Sequence, residues 1–185
     1  MNVFVLCTGR CGSLTFSKAC SHILNFTAAH ESRVGLLGAE RLAYPENHIE
    51  VDNRLSWFLG RLDQVYGDSA AYVHLTRNVE DVAASFVRRY EKGIIHAYRA
   101  GVLVVSSSRA DPFDVAVDYC ETVNSNIRSF LKNKSRQLEF LLEDAKNHFE
   151  AFWSMIGAVG DVEAAVGEFS IRYNASTEGG EHAER

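Results

Sequence analysis

Val3-Phe4-Val5-Leu6-Cys7-Thr8-Gly9-Arg10-Cys11-Gly12-Ser13-Leu14-Thr15-Phe16 is the stretch that decides the fold. Its apolar start reads as a short strand over Asn2 to Cys7, buried on both faces, that runs straight into a loop punctuated by Gly9 and Gly12. Glycine lets the backbone turn with positive φ and lets a ligand come close to it. The next helix carries Phe16, Ala19, Cys20, Ile23 and Leu24 on one stripe, and its start offers unpaired N–H groups and the positive end of the helix dipole. Strand, glycine loop and helix N-terminus together make a site for a phosphate-type anion, to which Arg10 adds a fixed charge.

Working outward, the same alternation recurs. Phe26 to His30 reads as a second strand, ended by Glu31-Ser32 and followed by a helical piece around Leu36 to Leu42 and a turn at Tyr44-Pro45-Glu46-Asn47. His48 to Asp52 is a third strand. Asn53 is a suitable N-cap for a helix bearing Leu55, Phe58, Leu59, Leu62 and Tyr66, with Trp57 placed in the core. Ala70 to Thr76 is a fourth strand, and Asn78 caps a helix whose stripe is Val79, Val82, Ala83, Phe86 and Tyr90. Gly93 to Ala110 has no clear period: a helix end, a lid and a disordered loop all fit it. Asp111-Pro112 opens a long helix reaching Leu131, Gln137 to Leu142 is a fifth strand, and Asp144 and Asp161 cap two further helices, the first with Phe149, Phe152, Trp153 and Ile156 facing inward.

Strands separated by helices imply parallel pairing through right-handed crossovers. The expected architecture is a three-layer α/β/α domain over residues 1–173, with a parallel sheet of about five strands and a ligand crevice at their carboxyl ends. Residues 174–185 carry almost nothing to bury and are expected to form a disordered polar tail.

Bulk properties narrow the function classes. A formal net charge of −5 argues against a protein that coats nucleic acid, so any basic site must be local. No segment approaches the ~20 apolar residues of a membrane span, and a strand beginning at residue 2 leaves no room for a signal peptide, so a cytoplasmic protein without membrane partners is expected. Cys7, Cys11, Cys20 and Cys120 lack metal-ligand spacing and read as free thiols of a reducing compartment, with no metal site. Cys11, beside Arg10 at a helix N-terminus, is expected to have a lowered pKa if it is more than a small loop-filling residue.

The loop approaches the Walker pattern, but Gly12 is followed by Ser13 with no lysine between them. Three segments leave strands at the expected ligand edge: Thr8 to Thr15, His30-Glu31 and Arg77-Asn78. Ser85 lies eight residues after Arg77, on the helix that Arg77 introduces. An arginine there often pairs with a helix acid such as Asp81, while Arg77 and Ser85 could also both reach one phosphate. Arg88, Arg89 and Lys92 extend a basic face, ordinarily a solvated one, though such a face could attract an anionic acceptor.

On these two motifs the chain resembles the sulfotransferases that use 3′-phosphoadenosine 5′-phosphosulfate (PAPS), including bacterial carbohydrate-type members with a P-loop-like fold. Arg10-Cys11-Gly12-Ser13 is similar to their 5′-phosphosulfate loop, and Arg77 with Ser85 to their 3′-phosphate motif; Leu141-Leu142-Glu143-Asp144 resembles their late strand and turn. The resemblance implies PAPS as co-substrate and no metal. It implies a cofactor site built from Thr8, Gly9, Arg10, Cys11, Gly12, Ser13, Leu14, Thr15, Arg77 and Ser85, with Arg10 at the transferring sulfuryl group. It also implies a general base at Glu31 or its neighbour His30; side chains adjacent on a strand point to opposite faces, so one of the two is expected in the cleft. Leu14 stands where many members have a second hydroxyl, and their C-terminal glycine-rich motif is not visible. The implied reaction is in-line sulfuryl transfer to a hydroxyl or amine of a small molecule or carbohydrate, in a protein that is a monomer or a homo-oligomer. A non-catalytic nucleotide-binding relative and a P-loop small-molecule kinase are the competing readings, the latter weakened by the absent lysine.

Overall fold

The computed structural model describes residues 1–104, 110–171 and 173. Five strands, β1 (Val3–Leu6), β2 (Thr27–His30), β3 (His48–Val51), β4 (Ala71–Thr76) and β5 (Gln137–Leu141), form one sheet in the order β2-β3-β1-β4-β5. Every pairing is parallel; Val3 stands opposite Ile49 on one side and Ala71 on the other. β1 lies at the centre with all four residues buried, as a continuous apolar run requires. The edge strands are more polar, and β5 alternates, with Phe140 inward between the exposed Glu139 and Leu141.

Among the described residues seven α-helices connect or follow the strands: α1 (Ser13–Cys20), α2 (Leu59–Tyr66), α3 (Val79–Val87), α4 (Gly93–Ala97), α5 (Pro112–Leu131), α6 (Ala145–Ile156) and α7 (Val162–Gly167). On one face Phe16 of α1 packs edge-on to Phe140, Phe149 and Phe152, at centroid separations of 5.0–5.5 Å. On the other, Phe4 meets Tyr44, Tyr66 and Tyr72, and Tyr72 meets Phe130 of α5. Each such aromatic pair contributes about 0.5–1.5 kcal/mol beyond the area it buries. The sheet is thus covered on both faces, the three-layer α/β/α arrangement expected of the sequence.

Side-chain caps fix the starts of α3, α5 and α7. Asn78 accepts from the Asp81 N–H, Asp111 from Phe113 with Pro112 at the first helical position, and Asp161 from Ala164. Four expectations are corrected. Asp52, not Asn53, caps the segment after β3; it accepts from the Arg54 N–H and starts a 3₁₀ helix over Asn53–Trp57, so α2 begins only at Leu59. Trp57 is 42% exposed on that 3₁₀ turn rather than in the core. Leu24, past the end of α1, is exposed, and Asp144 makes no side-chain cap. In the irregular region, α4 runs into a π-helical turn over Tyr98–Val102. Residues 105–109 of that region and the 174–185 tail lie outside the described residues. Among the described residues no helix is long and apolar enough to cross a membrane.

Candidate functional site

The strand order sends β1 outward toward β2 and β4 outward toward β5, so the crevice opens between β1 and β4. All five strand ends reach one cleft of about 960 Å³, through Gly9, His30, Arg54, Arg77 and Leu142 among others.

The loop after β1 is built around left-handed residues. Gly9, Arg10 and Gly12 have φ of 83°, 59° and 86°, and an arginine held there costs about 1–2 kcal/mol that glycine would not. Other elements hold this shape. The Cys7 carbonyl accepts from Ser56 Oγ at 3.0 Å, and the Thr8 carbonyl accepts from Tyr119 OH at 2.8 Å and Asn53 Nδ2 at 3.4 Å. A Cβ at Gly9 would lie 2.9 Å from Asn53 Nδ2, and one at Gly12 2.8 Å from Leu142 Cδ1, so a side chain at either position would have to push a neighbouring side chain aside. Asn53 is therefore a brace for the loop, a role its place directly after a strand at the ligand edge already signals. α1 begins without a side-chain cap, leaving its first N–H groups to the cleft.

Most of the residues singled out from sequence line this cleft. Gly9, Arg10, Gly12, Ser13, Leu14 and Thr15 come from the loop and α1, and Arg77 and Ser85 from either end of the second motif. Thr8 and Cys11 are buried instead. The Thr8 hydroxyl bonds the Gly9 carbonyl at 2.9 Å, and both residues face inward. The Cys11 pKa is lowered as expected, but by a hydrogen bond from the buried Cys7 thiol, whose own pKa is raised well above the ordinary value by that bond and by burial. Cys11 is fully enclosed and is not a surface nucleophile.

The two motifs meet: Arg10 Nε donates to Ser85 Oγ at 2.9 Å, across 75 residues of sequence. Arg77 instead forms an i,i+4 pair with Asp81 at 3.0 Å, both partly exposed, and a surface pair of this kind contributes about 0–1 kcal/mol. His30 Nε2 lies 3.1 Å from Ser13 Oγ, and Glu31 pairs with Arg54 Nη1 at 2.5 Å. Both His30 and Glu31 line the cleft, which corrects the expectation of one. Glu31 has left the strand, with φ of 52°, so the alternation of strand faces no longer applies to it. The turn after it is fixed from below: buried Glu50 accepts from the Ser32 N–H at 2.7 Å and the Ser32 hydroxyl at 2.6 Å.

The cleft is electropositive in a chain of net charge −5, with Arg10, Arg54, Arg77, Arg88, Arg89 and Lys92 set against Glu31, Asp81 and Glu143. Among the described residues Arg88, Arg89 and Lys92 have no ion-pair partner. The Arg10 pKa is lowered by partial burial and then by repulsion from Arg89, Arg88 and Arg77. Four like charges converge on one point, the condition that an anion of several charges relieves. Arg54 was not assigned to a site from sequence; its nearness to the loop, like that of the Arg88-Arg89 wall, comes from the sheet order.

No family model matches the chain, and no curated protein is significantly similar to it. Among solved structures, the sulfotransferase domain from the curacin biosynthetic pathway is similar with a TM-score of 0.65, over 87% of this chain and 75% of that one, at 16% identity. The α/β architecture with a five-stranded parallel sheet accordingly matches the fold of that sulfotransferase domain.

Proposed function

We propose that the protein is a sulfotransferase that moves a sulfuryl group from PAPS to a hydroxyl or amine acceptor. The observation that carries this reading is the Arg10–Ser85 contact, which joins the glycine loop to the second motif inside a cationic cleft at the strand ends. In the proposal the α1 N–H groups with Ser13 and Thr15 hold the 5′-phosphate. Ser85 and Arg77, released from its weak pair with Asp81, hold the 3′-phosphate. Arg10 stabilises the charge that gathers on the oxygen linking phosphate to sulfur. Such transfer needs little covalent participation from the protein, so positioning and electrostatics carry it. The acceptor proton goes to Glu31, and His30 orients the Ser13 hydroxyl. Charge-assisted contacts of this kind contribute roughly 1.5–3 kcal/mol each.

Thermal shift separates the readings. 3′-Phosphoadenosine 5′-phosphate (PAP) at a hundred times its Kd should stabilise by about 2.7 kcal/mol, or about 5–11 °C for a chain of this size. Arg77→Ala should weaken PAP roughly ten- to hundredfold. No shift with PAP would reject the proposal, and a larger one with ATP and magnesium would reject it in favour of a kinase. The Glu31–Arg54 pair gives a specific reason to keep a non-catalytic nucleotide-binding reading as second, because it occupies the carboxylate. PAP binding without sulfate transfer from PAPS to any of a broad acceptor panel would establish that one.

A further inference from the structure

Arg54 and Glu31 face each other across the β3 and β2 ends of the cleft, on the side away from Arg77 and Ser85. Their placement is not accidental to the turn. The Arg54 N–H is fixed by Asp52 Oδ1 at 2.8 Å, Asp52 is itself bound to buried Arg41 at 2.5 Å, and the chain after Glu31 is fixed by Glu50 through Ser32. The backbones at both ends are thus held, while the two side chains stay about one-third exposed, at 37% and 31%. A half-exposed ion pair is weakly held against exchange with another anion. The group now on Arg54 is a carboxylate, so the ligand that can take its place most directly is a second carboxylate.

We infer that the acceptor carries a carboxylate that displaces Glu31 from Arg54, so that seating the acceptor frees the base; this rests on the sulfotransferase reading above. The freed Glu31 takes the proton of the acceptor hydroxyl as its oxygen bonds to sulfur. The bond from sulfur to the bridging phosphate oxygen breaks, and that oxygen leaves with the electron pair. Without the acceptor carboxylate Glu31 stays on Arg54, which also limits wasteful transfer of the sulfuryl group to water.

Methyl β-D-glucuronide and methyl β-D-glucoside present the same ring hydroxyls and differ by one carboxylate. They are titrated by calorimetry into the PAP-loaded protein and into the protein alone, where the Arg54–Glu31 pair is also present. The glucuronide is expected to bind about tenfold more tightly, as one charge-assisted contact allows. Arg54→Gln should erase the preference and Arg54→Lys should keep part of it. Glu31→Gln should tighten the glucuronide, because its competitor for Arg54 is gone, whereas a merely structural pair would make both the Glu31 and the Arg54 variants weaker. Equal binding of the two sugars, including none by either, overturns the inference, as does weaker glucuronide binding by Glu31→Gln. Failure of PAP to bind overturns the sulfotransferase reading instead, and the titration of the protein alone still decides the carboxylate preference.

Discussion

Gly12 carries two constraints at once. Its φ of 86° penalises any side chain, and a Cβ there would press on Leu142 at the end of β5. The Leu142 contact is with the far end of a flexible side chain and can relax, but the dihedral cannot. Gly12→Ala is expected to cost about 1–2 kcal/mol and to lower the melting temperature by about 2–8 °C. Adding Leu142→Ala should not restore the conformational part, and a Gly12→Ala protein that melts like the wild type would contradict the left-handed assignment. The need for a glycine here was readable from the sequence, because a tight turn before a helix admits few other residues. The contact with Leu142 was not, because it depends on a strand 130 residues later.

At the scale of elements, the 3₁₀ turn over Asn53–Trp57 is the support of the site, since it supplies Asn53 and Ser56 to the loop and Arg54 to the cleft. Its start depends on Asp52, which is fully buried, with a pKa raised by burial against the pull of Arg41. Arg41 is 3% exposed, bonds Tyr44 OH at 3.0 Å and lies over the Phe58 ring. Removing one partner of a buried pair strands the other's charge, so Arg41→Met should cost about 3–5 kcal/mol. The double variant Arg41→Met/Asp52→Asn should recover much of that loss in a denaturant titration. If the single variant lost less than about 1 kcal/mol, within the range of an exposed pair, Arg41–Asp52 would not be what supports this turn. The elements themselves were largely legible: all five strands fall within a residue or so of their sequence limits, β1 most plainly, because a parallel strand buried on both faces reads as a short apolar run. The shift of one residue in this cap was not, since Asp and Asn are nearly equivalent as caps and only the packing of Arg41 favours Asp52.

Over the whole molecule, one buried imidazole makes stability depend on pH. His74 on β4 is fully buried, with Nε2 3.0 Å from Asn124 Oδ1 and no partner for Nδ1 among the described residues. Burial lowers its pKa, so below the ordinary histidine value of about 6.5 the unfolded chain takes up a proton before the folded one does. His74 therefore stabilises fully above about pH 6.5, and the contribution is lost as pH falls from there toward the folded value, by up to about 1.4 kcal/mol per pH unit. Melting curves between pH 7.5 and 5 should show this slope, and His74→Gln should flatten it; an equal slope in the variant would exclude His74 as its source. The cleft was legible to the extent that its residues sit at strand ends, as Arg77 does, or at a fixed spacing from one, as Ser85 does on α3. The Glu31–Arg54 and Arg10–Ser85 pairs were not, because they arise from strand order and register, which no local pattern encodes.

Tyr119 reaches from the middle of α5 to the Thr8 carbonyl, and the two residues are 111 apart in sequence. In terms of folding order, the anion loop cannot mature with the strand and helix that flank it. Its carbonyls are left unbraced until α5 has docked and the Asn53 turn is in place, and closing so long a loop is slow compared with forming α1. The most local of the chain's sequence signals thus depends on a brace 111 residues away, and a fragment ending before α5 would contain the motif without that brace.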